Sequence, residues 1–195
     1  MFKIFCILSL LFTIFIANGD NLVNKLNYIA ESAKQKYQLS ALAISVILPN
    51  ESQINIFSSD ATKYNITQLN DKSLFQIGSI TKTFTAATIL KLARTNKLKL
   101  SDTVGDYFPQ YTKWKDVTLL QLLNQTSGLY DYDNLPTWWS TFLSHETKLW
   151  QESELLNIAY QNKNYFANGN GWHYSNTNYV LLGMIIQKIT KIGRA

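Results

Sequence analysis

The sequence predicts an α/β fold of the segregated α+β kind, with a small antiparallel sheet first and a helical region after it. Three features carry this. Leu22, Leu26, Ile29, Ala33 and Tyr37 recur at three- and four-residue spacing over 21–38, the signature of an amphipathic helix. Ala41–Leu48 is rich in Ile, Val, Ala and Leu, Pro49-Asn50 turns the chain, and Gln53–Phe57 returns as the second arm of a hairpin. From Ser79 onward the chain reads mostly as helices.

Composition bounds the classes that remain. A chain of 195 residues, 46% hydrophobic and with 3 Pro, is the size of one domain and can fill a core, which excludes a disordered or collagen-like chain. Net charge is +5, but the basic residues are scattered. The densest group, Lys91, Arg94, Lys97 and Lys99, falls toward the end of a predicted helix, where cations are favoured. Without a basic stripe or motif, no nucleic-acid partner is expected.

Phe2–Ile16 is almost wholly apolar behind Lys3, and Ala17-Asn18-Gly19 precedes Asp20. This reads as a signal peptide over 1–19, cleaved after Gly19, with 20–195 as the mature domain, secreted or periplasmic. No stable membrane span is expected after cleavage. Cys6, the one cysteine, would leave with the signal, so no disulfide or thiol nucleophile is expected. With only His145 and His173 besides, neither a metal site nor a cofactor is implied.

The elements follow in order. The run from Ser79 to about Asn96 reads as a helix with Phe84, Ala87, Leu90 and Leu92 on one side. Thr118–Leu123 is a short helix and Gln151–Asn162 a longer one. Asn168-Gly169-Asn170-Gly171 is a loop, and Asn176–Thr190 closes as a helix carrying Val180, Leu181, Met184, Ile185 and Ile189.

Candidate chemistry begins with nucleophiles. There is no G-x-S-x-G elbow. Among the serines, only Ser79 has a lysine three residues on, Lys82. Ser79 follows Gly78 where a loop becomes a helix, and Lys82 lies one turn along on the same face. A serine there would meet helix-start N–H groups that favour developing negative charge, and a neutral lysine could take its proton. Taken alone, the pair reads first as an N-cap Ser79 with a solvated Lys82. Y-x-N occurs three times, at Tyr132-Asp133-Asn134, Tyr160-Gln161-Asn162 and Tyr174-Ser175-Asn176. Only the third combines a preceding glycine-rich loop with a following apolar helix, a context suited to a rigid tyrosine that shuttles protons beside an amide that holds a substrate carbonyl. The other two read as a surface aromatic with a loop amide.

Four segments, 75–86 (FQIGSITKTFTA), 98–109 (LKLSDTVGDYFP), 117–129 (VTLLQLLNQTSGL) and 171–190 (GWHYSNTNYVLLGMIIQKIT), together resemble the serine beta-lactamase-related family. That family includes class C beta-lactamases, D-alanyl-D-alanine carboxypeptidases of the penicillin-binding type and related esterases, and the match is collinear from about residue 22 to 190. The resemblance implies a beta-lactamase/transpeptidase-like fold, an antiparallel sheet flanked by helices plus an all-helical region, with the hairpin as the first two strands. It implies Ser79 as the acylated nucleophile, Lys82 as its proton acceptor, Tyr174 as general acid/base and Asn176 as the ligand of a substrate amide. Substrates would be small molecules or peptides: a D-Ala-D-Ala-like peptide, a β-lactam or an ester. Thr126-Ser127-Gly128-Leu129 matches a structural signature of the family, read here as a helix stop with Gly128 as the left-handed cap. Trp114, Trp138, Trp139, Trp150 and Trp172 either line a cleft or pack in the core.

The family also carries a K-T-G or H-x-G triplet on a strand well beyond Y-x-N, which supplies a second oxyanion N–H. Lys191-Ile192-Gly193 is K-x-G by letter but falls in the turn that closes the last helix, so it is rejected as that triplet. The expectation is therefore a C-terminally truncated domain with weakened activity, or at the extreme a non-enzymatic remnant of such a hydrolase. Covalent labelling of Ser79 separates the two.

Overall fold

Helix and strand segregate along the chain as the pattern predicts. The computed structural model describes residues 19–60, 68–145 and 147–193, in two compact units that join in sequence between Gln76 and Ile77. The segment read as an export signal lies outside the described residues up to residue 18, Cys6 with it.

The first unit contains helix α1 (Gly19–Tyr37) and strands β1 (Ala41–Ile47) and β2 (Gln53–Ser59), paired antiparallel from Ala41 opposite Ser59 to Ile47 opposite Gln53. Alternation places Leu42, Ile44, Val46, Ile54 and Ile56 together, and α1 covers them with Leu26 and Ala30. Ile29 and Tyr37, expected on that stripe, are exposed. The buried line runs through Leu26, Ala30 and Lys34 instead, and Ile29 sits about 100° round the helix from Ala30. Lys34 is buried but paired: its Nζ lies 2.9 Å from Asp60 and 3.0 Å from Glu31. These hydrogen bonds, Asp60's first, raise the Lys34 ammonium above the usual lysine range. The Ser58 hydroxyl, 2.5 Å away, and Lys34 hold Glu31 below its own.

The second unit is helical: α2 (Thr81–Arg94), α3 (Val104–Tyr107), α4 (Leu119–Leu123), α5 (Trp138–Ser144), α6 (Glu152–Gln161) and α7 (Asn176–Thr190). Helix α7 is the hub. Val180, Leu181, Leu182, Gly183 and Ile185 are all buried, and α2, α4 and α6 pack around it. A helix buried on so many sides can be apolar nearly all round. Ile89, Leu119, Leu122, Leu156 and Trp114 complete the core.

The helix predicted from Ser79 divides into a tight turn, Gly78–Ile80, followed by α2. Its inner face also differs from the prediction. Phe84 and Leu90 are exposed, as is Ala87, while Thr85 and Ile89 are buried with Leu92 and Ala93 beside them. Lys82 stands one turn before Thr85 and two before Ile89 on this inward stripe, which directs it toward α7. Helices α3 and α5, about one and two turns long, were not predicted. A reciprocal Thr103–Asp106 capping box starts α3. The predicted helices at 118 and 151 begin in the same way, with Thr118–Gln121 and Gln151–Glu154.

The cap assigned to Gly128 belongs to Gln125. Gln125 is left-handed (φ 63°), its N–H donates to Leu122 O (3.3 Å), and Thr126 N–H donates to Gln121 O (2.9 Å). These bonds close a Schellman motif on α4. Gly128 is also left-handed (φ +73°), three residues beyond, but its role is close approach: an added Cβ would lie 2.2 Å from Phe166 O. The tryptophans divide, with Trp114 and Trp138 buried and Trp139 and Trp172 exposed. The Lys191 backbone is left-handed (φ 61°) and ends α7, with Ile192 beyond it exposed, so the K-x-G letters do form a helix stop.

Gly128→Ala combines positive-φ strain with a backbone clash. It is expected to destabilise the second unit by more than about 3 kcal/mol, read as a fall in the thermal midpoint or as insolubility.

Candidate active site

The four residues singled out in the sequence meet at one place, all within the second unit. Gly78 is left-handed (φ +51°) with open space where a Cβ would be, so backbone conformation rather than crowding requires glycine there. That turn sets Ser79 at the head of α2. Its hydroxyl caps no helix end. It lies 2.6 Å from the Tyr174 hydroxyl and accepts from Lys82 Nζ at 3.1 Å. Lys82 also donates to Asn176 Oδ1 at 2.6 Å, and its Nζ sits 4.8 Å from the centre of the Tyr174 ring and 5.6 Å from that of Tyr179. Hydroxyl, amine and phenol thus form a single hydrogen-bonded set. Such a set can remove a hydroxyl proton and return one to a leaving group.

Tyr174 is 38% exposed, yet its backbone is fixed on both sides. Gln125 accepts from His173 N–H through its main-chain oxygen (3.1 Å) and from Ser175 N–H through its side-chain oxygen (3.0 Å). The same side-chain oxygen takes Asn178 Nδ2 at 2.5 Å, while Ser127 Oγ donates to Asn178 Oδ1 at 2.6 Å. Thr177 Oγ1 donates to Tyr130 O (2.7 Å). The loop after α4 thereby holds the entry to α7. A stack of Tyr130, Tyr165 and His173, with ring centres 5.5 and 3.7 Å apart, flanks it.

Behind Asn176 lie two carboxylates that sequence reasoning did not single out. Asp131 accepts the Asn176 backbone N–H (2.9 Å) and its Nδ2 (3.2 Å), and Asp133 accepts Nδ2 at 2.8 Å. Asp131 is only 2% exposed. Burial, then the neighbouring Asp133 carboxylate, push Asp131 up to about 7. The one available signal was an acidic pair just after T-S-G-L, and it named no partner across more than forty residues.

Two of the three Y-x-N copies do other work, and their tyrosines are half-buried against the core rather than free on the surface. Tyr132 packs edge-on against Trp138 and joins the core rim. Tyr160 packs on Trp114 and Tyr111, with its hydroxyl on Thr112 (3.0 Å). Each is drawn inward because its residue falls on the packed side of a turn or helix. Among the described residues no helix is long and apolar enough to cross a membrane, and no group of three His, Cys, Asp or Glu is placed to hold a metal.

Residues 27–195 match the family model described as Beta-lactamase. Penicillin-binding protein 4* of Bacillus subtilis is 35% identical over 127 residues, 65% of this chain and 28% of that protein. Two solved structures are similar in fold. A D-stereospecific amidohydrolase from Streptomyces matches with TM-score 0.70 and 28% identity over 86% of this chain and 50% of that one. The D-amino acid amidase of Ochrobactrum anthropi SV3, complexed with D-phenylalanine, matches with TM-score 0.72 and 27% identity over 88% and 46%. The chain thus spans about a quarter of the curated relative and about half of each solved structure.

The raised Asp131 carboxyl has a sign that can be tested. A folded-state pKa near 7 against 3.8 in the unfolded chain favours folding fully below about pH 4, and that contribution is lost as pH climbs to 7. Asp131→Asn cannot ionise. The thermal midpoint of the variant minus that of the wild type is therefore expected to rise between pH 5 and pH 8. A difference that is flat or falls over that range contradicts the assignment.

Proposed function

The chain belongs to the Beta-lactamase family, whose model spans residues 27–195, and on that premise we propose that it is an exported serine hydrolase that forms an acyl-enzyme on Ser79. The observation that carries this reading is the convergence on one hydroxyl: Tyr174 at 2.6 Å and Lys82 at 3.1 Å from Ser79 Oγ.

In the proposed reaction, Ser79 Oγ attacks the substrate carbonyl carbon while its proton passes to Lys82 Nζ. The carbonyl oxygen takes the negative charge at the head of α2, where the helix dipole favours it. Collapse breaks the carbonyl–nitrogen or carbonyl–oxygen bond, Tyr174 delivers a proton to the leaving atom, and the acyl group stays on Ser79. Water then attacks the ester carbonyl and gives its proton to the Tyr174 oxygen, and collapse releases the acid as the proton on Lys82 Nζ returns to Ser79 Oγ. The acyl donor would be an amide, β-lactam or ester. Relatives described as a penicillin-binding protein, a D-stereospecific amidohydrolase and a D-amino acid amidase favour donors of D configuration, such as D-amino acid amides or D-Ala-D-Ala-like peptides.

Labelling with a fluorescent penicillin, and turnover of nitrocefin, a D-Ala-D-Ala peptide and a short-chain ester, test the reading. Ser79→Ala is expected to abolish labelling and turnover. Tyr174→Phe should lower the acylation rate by roughly 100- to 10,000-fold. Labelling that survives Ser79→Ala refutes the assignment, and a wild type inert to every probe favours a non-enzymatic remnant.

A further inference from the structure

We propose that Gln125 is a positioning residue for the leaving-group proton. By gripping the backbone on both sides of Tyr174 it sets the phenol at Ser79. It thereby governs acylation by donors whose leaving atom must be protonated and spares donors whose leaving group needs no proton. This rests on the acyl-enzyme reading, in which Tyr174 protonates the leaving atom.

Gln125 meets the segment before α7 at two points, two residues apart. Its main-chain oxygen accepts from His173 N–H (3.1 Å) and its side-chain oxygen from Ser175 N–H (3.0 Å). In an extended segment such alternate N–H groups lie along one edge, and successive side chains leave opposite faces. Ser175 is extended (φ −145°, ψ 122°) and buried, and the His173 ring stacks on Tyr165 at 3.7 Å, so both lie on the inner face. Tyr174 between them projects outward, where its hydroxyl lies 2.6 Å from Ser79 Oγ. One bond would let the segment roll about it. Two bonds fix the roll, and a slip of one residue would turn the phenol away from Ser79. The grip is itself held, because the buried Gln125 side-chain oxygen also accepts from Asn178 Nδ2 (2.5 Å), whose own oxygen takes Ser127 Oγ (2.6 Å).

The other reacting groups have separate anchors. Ser79 and Lys82 lie three residues apart at the head of α2, and their 3.1 Å bond is made within that stretch of chain. Asn176 is held by Asp131, which accepts its backbone N–H at 2.9 Å. Tyr174, in contrast, sits between the two residues that Gln125 holds. Loosening Gln125 therefore displaces the general acid and leaves the nucleophile with its base. What that costs depends on the leaving group. The amine of an amide or of an opened β-lactam departs only as its nitrogen is protonated, whereas p-nitrophenolate departs as the anion. Displacements on the scale of an ångström at a reacting group cost on the order of 100-fold in rate.

The test measures single-turnover acylation of the full chain by a fluorescent penicillin and by p-nitrophenyl acetate, the latter read as the burst of p-nitrophenolate. Gln125→Leu removes the side-chain acceptor. Gln125→Asn suits the left-handed backbone and draws the oxygen back by one carbon, so it supplies a folded variant if the leucine one melts. Gln125→Glu keeps an acceptor oxygen at the original reach. For Gln125→Leu and Gln125→Asn the penicillin rate constant is expected to fall about 10- to 100-fold, with p-nitrophenyl acetate changed less than about threefold. Gln125→Glu is expected to recover most of the penicillin rate. In a Tyr174→Phe background the same two substitutions should lower the penicillin rate less than about twofold further, because the group they displace is already gone. Equal losses on both probes, no loss on either, or a loss undiminished in the Tyr174→Phe background overturns the proposal. A second readout needs no catalysis. In ¹⁵N-labelled protein the Ser175 amide should be exchange-protected in the wild type and in Gln125→Glu, and should lose protection in the other two variants. Unchanged protection there overturns the proposal. A wild type that neither probe acylates would instead fell the hydrolase reading, and the Ser175 amide would still decide whether Gln125 holds the segment.

Discussion

The bonds that Gln125 makes on either side of Tyr174 are what the rest of the second unit depends on. One residue closes the Schellman turn of α4 and, through two different oxygens, accepts the N–H groups of His173 and Ser175. A non-glycine residue in the left-handed region costs about 1–2 kcal/mol. Buried hydrogen bonds of this kind, each worth about 1 kcal/mol net and more if left unmade, offset that cost. The strain is therefore stable only while the α7 entry is in place, and the α7 entry is in place only while the turn holds. This mutual dependence makes a loop as precise as a helix.

From that junction the polar interior follows. Gln125, Ser127, Asp131, Ser175, Thr177 and Asn178 are buried polar residues on two segments that face each other, and each finds its partner on the other. An apolar seam would pack as well but would permit sliding. Directional bonds permit one register. Gly128 belongs to the same device, since the loop reaches 165–169 only by letting Phe166 O approach where any side chain would stand.

How much of this was legible varies with the range of the interaction. Helix α7 and the hairpin were readable because periodicity is local, and Ser79, Lys82, Tyr174 and Asn176 because their motifs are short and the family resemblance placed them. The inner face of α2 was not. Phe84 and Leu90 outweigh Thr85 by hydropathy, yet Thr85 is buried and they are not, since the helix must aim Lys82 at α7. The left-handed cap was assigned to the glycine by propensity and belongs to Gln125 by tertiary bonding. The Asp131–Asp133 pair was invisible for the same reason: an aspartate acquires meaning only from the amide it meets more than forty residues on.

The layering of burial across the candidate site suits the proposed acyl-enzyme chemistry. Ser79 and Tyr174 are open enough to meet a substrate, Lys82 is half-buried between them, and Asp131 behind Asn176 is almost wholly enclosed. Each step inward exchanges access for rigidity. Groups that must touch a reacting carbonyl cannot be enclosed, so their precision has to be borrowed from neighbours that are. A buried carboxyl pair is a costly support, as the upward push on Asp131 indicates. Its cost is tolerable because hydrogen bonds to the Asn176 main chain and side chain meet the charge where it is buried. What reaches Ser79 is then a lysine whose position is set by a chain of contacts leading back to the core.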